Sequence, residues 1–229
     1  MVRIDTILAG TIAPLGPRAA PSGIDKHPIV GRAWLGGEGI VGDAQGDRRN
    51  HGGPEKAVHH YAFEHYDRWR GELGNHNLLD QPGAFGENLS TTGLTEADVA
   101  VGDTFRLGSA IIQVSQGRQP CWKLSARFGS ADMALKVQQT GRTGWYYRVI
   151  EQGHVEAGDV LDLVDRLSPD WTIERLWRTL YVDTLNRAEL AAMAELAPLA
   201  EGWRRYAAKR LATATVEDWS ARLTGQPRS

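Results

Sequence analysis

The stretch Val99-Ala100-Val101-Gly102-Asp103-Thr104-Phe105-Arg106-Leu107-Gly108-Ser109-Ala110-Ile111-Ile112-Gln113-Val114-Ser115 decides the fold class. It reads as a strand, a Gly-Asp turn, a second strand, another turn and an alternating apolar run. The turn chemistry fits, because Gly tolerates positive φ and Asp bonds its own nearby backbone. Gly153-His154-Val155-Glu156-Ala157-Gly158-Asp159-Val160-Leu161 repeats the pattern. Further short apolar runs lie at 2–9, 39–41, 57–61, 144–149 and 160–164, separated by Gly, Pro and Asp. Many short strands with Gly-rich turns predict a β-barrel or sandwich over residues 1–165.

Helices interrupt and follow this region. Phe63, Tyr66, Trp69 and Leu73 keep helical spacing until Gly74-Asn75 stops the run. A less regular helix is expected over 125–139. Near residue 168 the composition changes. Ser168 reads as an N-cap and Pro169 as the first helical position of a helix through Tyr181. A second helix runs from Thr184 to Leu196, and Pro198 opens a third. Residues 214–223 add a further turn or two. Residues 166–229 are therefore predicted to form a small helical bundle, and the whole chain to be mainly β with α, an α+β protein.

The bulk properties narrow the function classes. The chain has 229 residues, 41% hydrophobic and 24% charged, as ordinary globular proteins do. A formal net charge of -2 gives no overall field to attract nucleic acid or an anionic membrane surface. No apolar run of about eighteen residues predicts a membrane span. The N-terminal segment lacks the apolar core of a signal peptide, so a cytoplasmic location is expected. Seven histidines and one cysteine show no zinc-binding spacing.

The lone cysteine, Cys121, follows the alternating run in Ser115-Gln116-Gly117-Arg118-Gln119-Pro120-Cys121-Trp122-Lys123-Leu124. One cysteine excludes an intrachain disulfide and a multi-thiolate metal site. It leaves an inert core thiol, a nucleophile, or a single thiolate ligand to a metal held mainly by other groups. Arg118, Lys123 and Arg127 favour the thiolate electrostatically, and a thiolate suits soft metals. Three further segments offer Gly-lined turns with polar groups. In residues 42–58, Gly52 and Gly53 free backbone N–H groups for an anion, beside Arg48, Arg49, His51 and Lys56. In residues 81–90, Gly86 precedes Glu87 and Asn88, whose carboxamide both donates and accepts. In residues 140–149, Gly141 and Gly144 surround Arg142, a candidate phosphate ligand. Each has a bland reading as a solvated loop or hairpin. Together they fit a large anionic cofactor with the thiolate at its reactive end.

In order and spacing, these segments resemble the MOSC domain, specifically its YiiM-like branch. The matching pieces are residues 42–47, His51 through Val58, Gly83 through Leu89, Ser115 through Leu124 and Gly141 through Arg148, with the C-terminal helices resembling that branch's three-helix extension. The resemblance implies a MOSC-type β-barrel at 1–165 and a three-helix extension at 166–229. It implies molybdenum cofactor (Mo-molybdopterin), with two dithiolene sulfurs and Cys121 as third sulfur ligand to the metal, and no requirement for pyridoxal phosphate. The implied reaction is reduction of N-hydroxylated small molecules, hydroxylamino purines and related bases, to the amine and water. An electron-donating reductase supplies the electrons, since no flavin or nicotinamide motif is present. Arg118, Arg142 and Lys56, with Gly52, Gly53 and Gly86, are assigned to the cofactor, and Asn88 and His51 to the substrate or to proton delivery. A carrier that holds cofactor or sulfur on Cys121 without turnover is the alternative, and a homodimer is left open. The C-terminal helices read either as a packed cover or as a docking surface through Arg204, Arg205, Lys209 and Arg210.

Overall fold

The computed structural model describes residues 2–47 and 52–226. Its strands are β1 (Val2–Arg3), β2 (Thr6–Ala9), β3 (Ala13–Leu15), β4 (Ala20–Ser22), β5 (His27–Pro28), β6 (Ala33–Gly36), β7 (Gly39–Ile40), β8 (Val58–Ala62), β9 (Leu89–Thr91), β10 (Asp103–Leu107), β11 (Ala110–Gly117), β12 (Trp145–Glu151), β13 (Gly153–Val155) and β14 (Val160–Arg166). Nine of them form one mixed sheet in the order β1-β14-β10-β11-β12-β8-β9-β2-β5, rolled as a half-barrel. The helices are α1 (Glu64–Leu73), α2 (Trp122–Phe128), α3 (Met133–Thr140), α4 (Ile173–Tyr181), α5 (Arg187–Ala194), α6 (Glu201–Thr213) and α7 (Ser220–Thr224). The expected α+β architecture is therefore present, with a barrel-type sheet followed by helices.

The β10–β11 hairpin is the antiparallel pair that the opening stretch predicts, with Leu107 opposite Ala110. β8 and β9 pair in parallel, His60 beside Leu89. Parallel neighbours need a crossover, and α1 lies within it. β8 is buried at all five positions, so its apolar and polar side chains alike face protein. That is how a strand carrying two adjacent histidines comes to sit mid-sheet.

The C-terminal helices are not an appendage. Ile173, Leu176, Leu180, Leu190, Met193 and Trp203 share one buried cluster with Val101, Val114 and Trp145 of the sheet region. Trp203 packs so closely on Gly117 that a Cβ there would meet its ring at 3.2 Å. Arg210, read as a surface cation, is 1% exposed. It donates to the carbonyls of Leu180 in the last turn of α4 and of Thr184 just past it, and to Glu217, which removes it from any docking face.

Several boundaries differ from expectation. The run at 2–9 is two strands. Ile4 N donates to Asp159 and Asp5 N to Ser90, so the chain passes between the two ends of the sheet there. The helix expected over 125–139 is two helices, broken where Gly129 turns left-handed at φ 61°. The helix at 168 begins later, because Val101 N and Ile173 N bond across to Trp171 and Val99 and hold the chain extended up to Thr172. Thr172, not Ser168, accepts from Arg175 N as the cap. The strand expected at 99–101 reduces to a single bridge between Ala100 and Thr172. The third C-terminal helix starts at Glu201 and not at Pro198, because Ala200 N is held by the Ser115 carbonyl.

His60 is fully buried between the Tyr147 hydroxyl at 2.9 Å and Thr91 Oγ1 at 2.8 Å. Burial pushes its pKa down to about 3. An unfolded histidine protonates near 6.5, so the unfolded chain binds the extra proton first as pH falls. The stability contribution is complete above about pH 6.5 and is lost progressively toward pH 3, at roughly 1.4 kcal/mol per pH unit. Denaturant unfolding between pH 7 and 5 should show this slope, and His60→Gln should flatten it by about that amount. An equal slope in the variant would refute the assignment.

Candidate active site

β11 delivers the chain into an irregular turn at 118–120, and Cys121 sits at the N-cap of α2 in extended backbone, φ −135° and ψ 167°. The residue is 7% exposed. It lines a cleft built from residues of distant segments. Arg118, three residues earlier, is pinned by its own N–H to the Gly144 carbonyl at 3.0 Å. Its Nη2 donates to the Phe85 carbonyl at 3.3 Å, while Nη1 is buried with no hydrogen-bond partner among the described residues.

The rest of the lining arrives from distant segments. Lys26 Nζ lies 2.5 Å from Asp43 Oδ2, and both side chains are buried. Desolvation pushes the Lys26 pKa down, and the Asp43 charge opposes it. Asp43 also accepts from Gly10 N and from Asn88 Nδ2, each at 2.9 Å. His59 comes from β8. Burial, then the Arg118 charge, holds its pKa well below the ordinary imidazole value, so it is neutral in the folded protein. Its ring lies 5.0 Å from that of Tyr146, whose hydroxyl burial pushes upward in pKa against the nearby Arg118 charge. Lys56 reaches the cleft from a short 3-10 helix, Pro54–Lys56. Burial lowers its pKa, and the negative charges of Asp47 and Cys121 oppose that shift. Two glycines let the walls close. A Cβ on Gly23 would stand 1.7 Å from the Ala44 carbonyl oxygen, and one on Gly86, at φ 75°, 2.8 Å from Ile24.

Of the residues anticipated from the sequence, Cys121, Arg118, Lys56, Gly86 and Asn88 line this cleft, with Lys123 beside them. The Asn88 carboxamide donates to Leu8 and Asp43 and accepts from His59 N, so it braces β8 against β2. Gly53 takes φ 90° at the start of the turn that carries Lys56, and neither it nor Gly52 lines the cleft. Arg142 is not brought here. Its guanidinium stacks 3.6 Å from the Trp69 ring centroid and pairs with Glu72 at 2.6 Å, in a separate depression with His65 and Glu96. Arg127 bonds the Gly83 and Ala84 carbonyls and Asp25. His51, Arg48 and Arg49 lie outside the described residues. Lys26, Asp43, His59 and Tyr146 are lining residues that the sequence reading did not single out. Two histidines inside an otherwise apolar strand were the available signal for His59.

Among the described residues, no group of three or more His, Cys, Asp or Glu side chains is placed to hold a metal ion. Cys121 is thus the one soft donor that the protein presents in the cleft, surrounded by Lys26, Lys56, Arg118 and Lys123.

Comparison with known proteins extends this picture. The MOSC domain family model matches residues 47–162, and the model of the YiiM-like three-α-helix domain matches residues 171–214. Protein YiiM of Escherichia coli is 42% identical over 214 residues, covering 92% of this chain and 93% of that protein. The crystal structure of YiiM from Geobacillus stearothermophilus superposes with a TM-score of 0.79 at 33% identity, covering 92% of this chain and all (100%) of that one. A protein named reductase from Gibberella moniliformis is 34% identical over 194 residues, 84% of this chain and 34% of its own length. No helix among the described residues is long and apolar enough to cross a membrane.

Asp43→Ala should be among the most damaging changes in the cleft, because it leaves Lys26 buried without its partner and strips acceptors from Asn88 and Gly10. Breaking one side of a buried pair costs about 3–5 kcal/mol. Denaturant unfolding should report a loss of that size, and a loss under about 1 kcal/mol, typical of an exposed pair, would exclude the bracing role.

Proposed function

Since the chain belongs to the MOSC-domain family, in its YiiM-like branch, we propose that it is a molybdenum-cofactor-dependent reductase of N-hydroxylated compounds, hydroxylamino purines and related bases among them. The observation that carries the reading is that Cys121 shares one cleft with Arg118, whose buried Nη1 has no hydrogen-bond partner among the described residues. A buried donor left unmade costs about 1–3 kcal/mol, more when charged, and a phosphate or ring oxygen of an anionic cofactor would satisfy it. Four cations against the single carboxylate of Asp43 suit such an anion. The residues present therefore fit the group.

In this reading the Cys121 thiolate is the protein's ligand to molybdenum. Arg118, Lys56 and Lys123 hold the anionic pterin, and Gly23 and Gly86 allow the walls to approach it. Neutral His59 and the Tyr146 ring form an uncharged face between the cations. When bound, the cofactor supplies two-electron chemistry, in which an N–OH compound with two electrons and two protons gives the N–H compound and water. Proton delivery is assigned to His51, imidazole being in general the side chain suited to proton transfer near neutral pH. The electrons come from a partner reductase in the same, cytoplasmic, compartment. Residues 1–165 constitute the cofactor-binding domain, and residues 166–229 the helical extension that covers it.

Cys121→Ser should abolish reduction of 6-N-hydroxylaminopurine by the reconstituted protein, and molybdenum content should fall with it. Arg118→Ala should lower molybdenum content about tenfold or more, as expected for a lost charge-assisted bond. Full turnover in Cys121→Ser would sink the reading. Cofactor retention without turnover in the parent protein would replace it with the carrier.

A further inference from the structure

The depression that holds His65, Glu96 and Arg142 lies apart from the Cys121 cleft and shares no lining residue with it. Its walls come from the start of α1, the loop after β9, the loop before β12 and α4. Its volume is about 250 Å³. A bridging water needs only about 15 Å³, so this space exceeds a water site and approaches a small-molecule pocket.

Three buried polar atoms of its lining residues have no hydrogen-bond partner among the described residues: Glu64 Oε2, His65 Nδ1 and Arg142 Nη1. His65 and Arg142 are 5% and 6% exposed. Each of the three residues is held in place by its other polar atoms. Glu64 Oε1 accepts from Gly93 N. His65 Nε2 donates to Glu96 Oε2 at 2.7 Å, and Glu96 Oε1 accepts from Gly144 N at 2.7 Å. A carboxylate only accepts, so this bond assigns the imidazole proton to Nε2, and Nδ1 presents a lone pair. Arg142 Nη2 donates to Glu72 at 2.6 Å, while the face of the guanidinium rests on Trp69. Stacking occupies the face of the group and leaves the edge donor Nη1 over.

The unmet atoms are therefore two acceptors, one of them anionic, and one cationic donor. Buried groups of this kind are costly unless something meets them. An inorganic anion would satisfy the arginine but be repelled by Glu64. A metal ion would meet only Glu64 and His65, and among the described residues no group of three His, Cys, Asp or Glu side chains could hold one. A group that carries an ammonium beside a carboxylate meets all three. The Trp177 ring adds an apolar wall, fixed by donation from its Nε1 to the Gln138 carbonyl at 2.6 Å.

We propose that this depression binds a free α-amino acid, with its ammonium on Glu64 Oε2 and His65 Nδ1, its carboxylate on Arg142 Nη1 and its side chain against Trp177. The site goes beyond the reductase reading and does not depend on it. Glu96 orients His65 and, through the Gly144 peptide whose carbonyl accepts from Arg118 N, joins the two sites by one stretch of backbone.

Ligand-detected saturation-transfer NMR on the full-length chain tests this, with each proteinogenic amino acid in turn at millimolar concentration. At least one should bind, and its deaminated and decarboxylated analogues should each bind about tenfold more weakly, because each lacks one charge-assisted bond. Glu64→Gln keeps an oxygen for Gly93 N and removes the negative charge, so it should weaken binding about tenfold with the fold intact. Arg118→Ala alters the Cys121 cleft and should leave this binding as in the parent. Binding of no amino acid means that the three atoms meet ordered water only, and overturns the proposal. Equal binding of either analogue, or unchanged affinity in Glu64→Gln, overturns it as well. Loss of binding in Arg118→Ala moves the ligand to the Cys121 cleft and does the same.

Discussion

The buried carboxylate of Asp43 is the constraint on which the candidate site depends. It accepts hydrogen bonds from the ammonium of Lys26, the amide of Asn88 and the backbone of Gly10, three segments that share no local sequence. Asn88 in turn accepts from the backbone of His59. One ion thereby joins the N-terminal loops, the loop before β9 and the central strand β8. The shift of Lys26 shows the cost of desolvation, and the short contact to Asp43 shows what offsets it. A pair so placed is weak evidence for stability as such and stronger evidence for a fixed geometry. Here the fixed geometry is the wall facing Cys121.

The cleft has a graded electrostatic character. Arg118 and the three lysines place positive charge around the sulfur, while His59 is held neutral by burial and by Arg118 itself. Without ionising, a neutral imidazole beside Tyr146 can take up or give a hydrogen bond according to its tautomer. Arg118 links the two effects, because the same guanidinium that disfavours protonation of His59 keeps an unused donor in the cleft. The likeness to YiiM proteins over nearly the whole chain places this constellation in a known fold, while the details of charge belong to these residues.

What the sequence made legible was local. The alternating runs on either side of Gly108-Ser109 foretold the β10–β11 hairpin, and the loop after β11 marked Cys121 and Arg118 together because they stand three positions apart. Lys56 and Gly86 were visible as a cation and a glycine at turns. Lys26, Asp43, His59 and Tyr146 were not, because their meeting is a product of sheet order and not of spacing. Arg142 shows the opposite limit. A Gly-flanked arginine reads the same whether it faces an anion or an indole ring, and Trp69 decides the matter 73 residues upstream. Ser168 and Thr172 were equivalent caps by residue type, and backbone pairing with Val99 and Val101 selected the later one.

The pairing of β1 with β14 has a consequence for synthesis. Val2 lies opposite Leu161, so the first strand waits for more than two thirds of the chain before it finds its neighbour. The cluster that seals the core also draws on Leu190, Trp203 and Ala207. At about 5–20 residues per second, the ribosome leaves the sheet edge without its partner for many seconds. Contacts of such long range are closed late and slowly. The nascent chain therefore presents pairing-competent strands in the cell before its own C-terminal half can cover them, and its yield should depend on chaperone capacity more than its finished stability suggests.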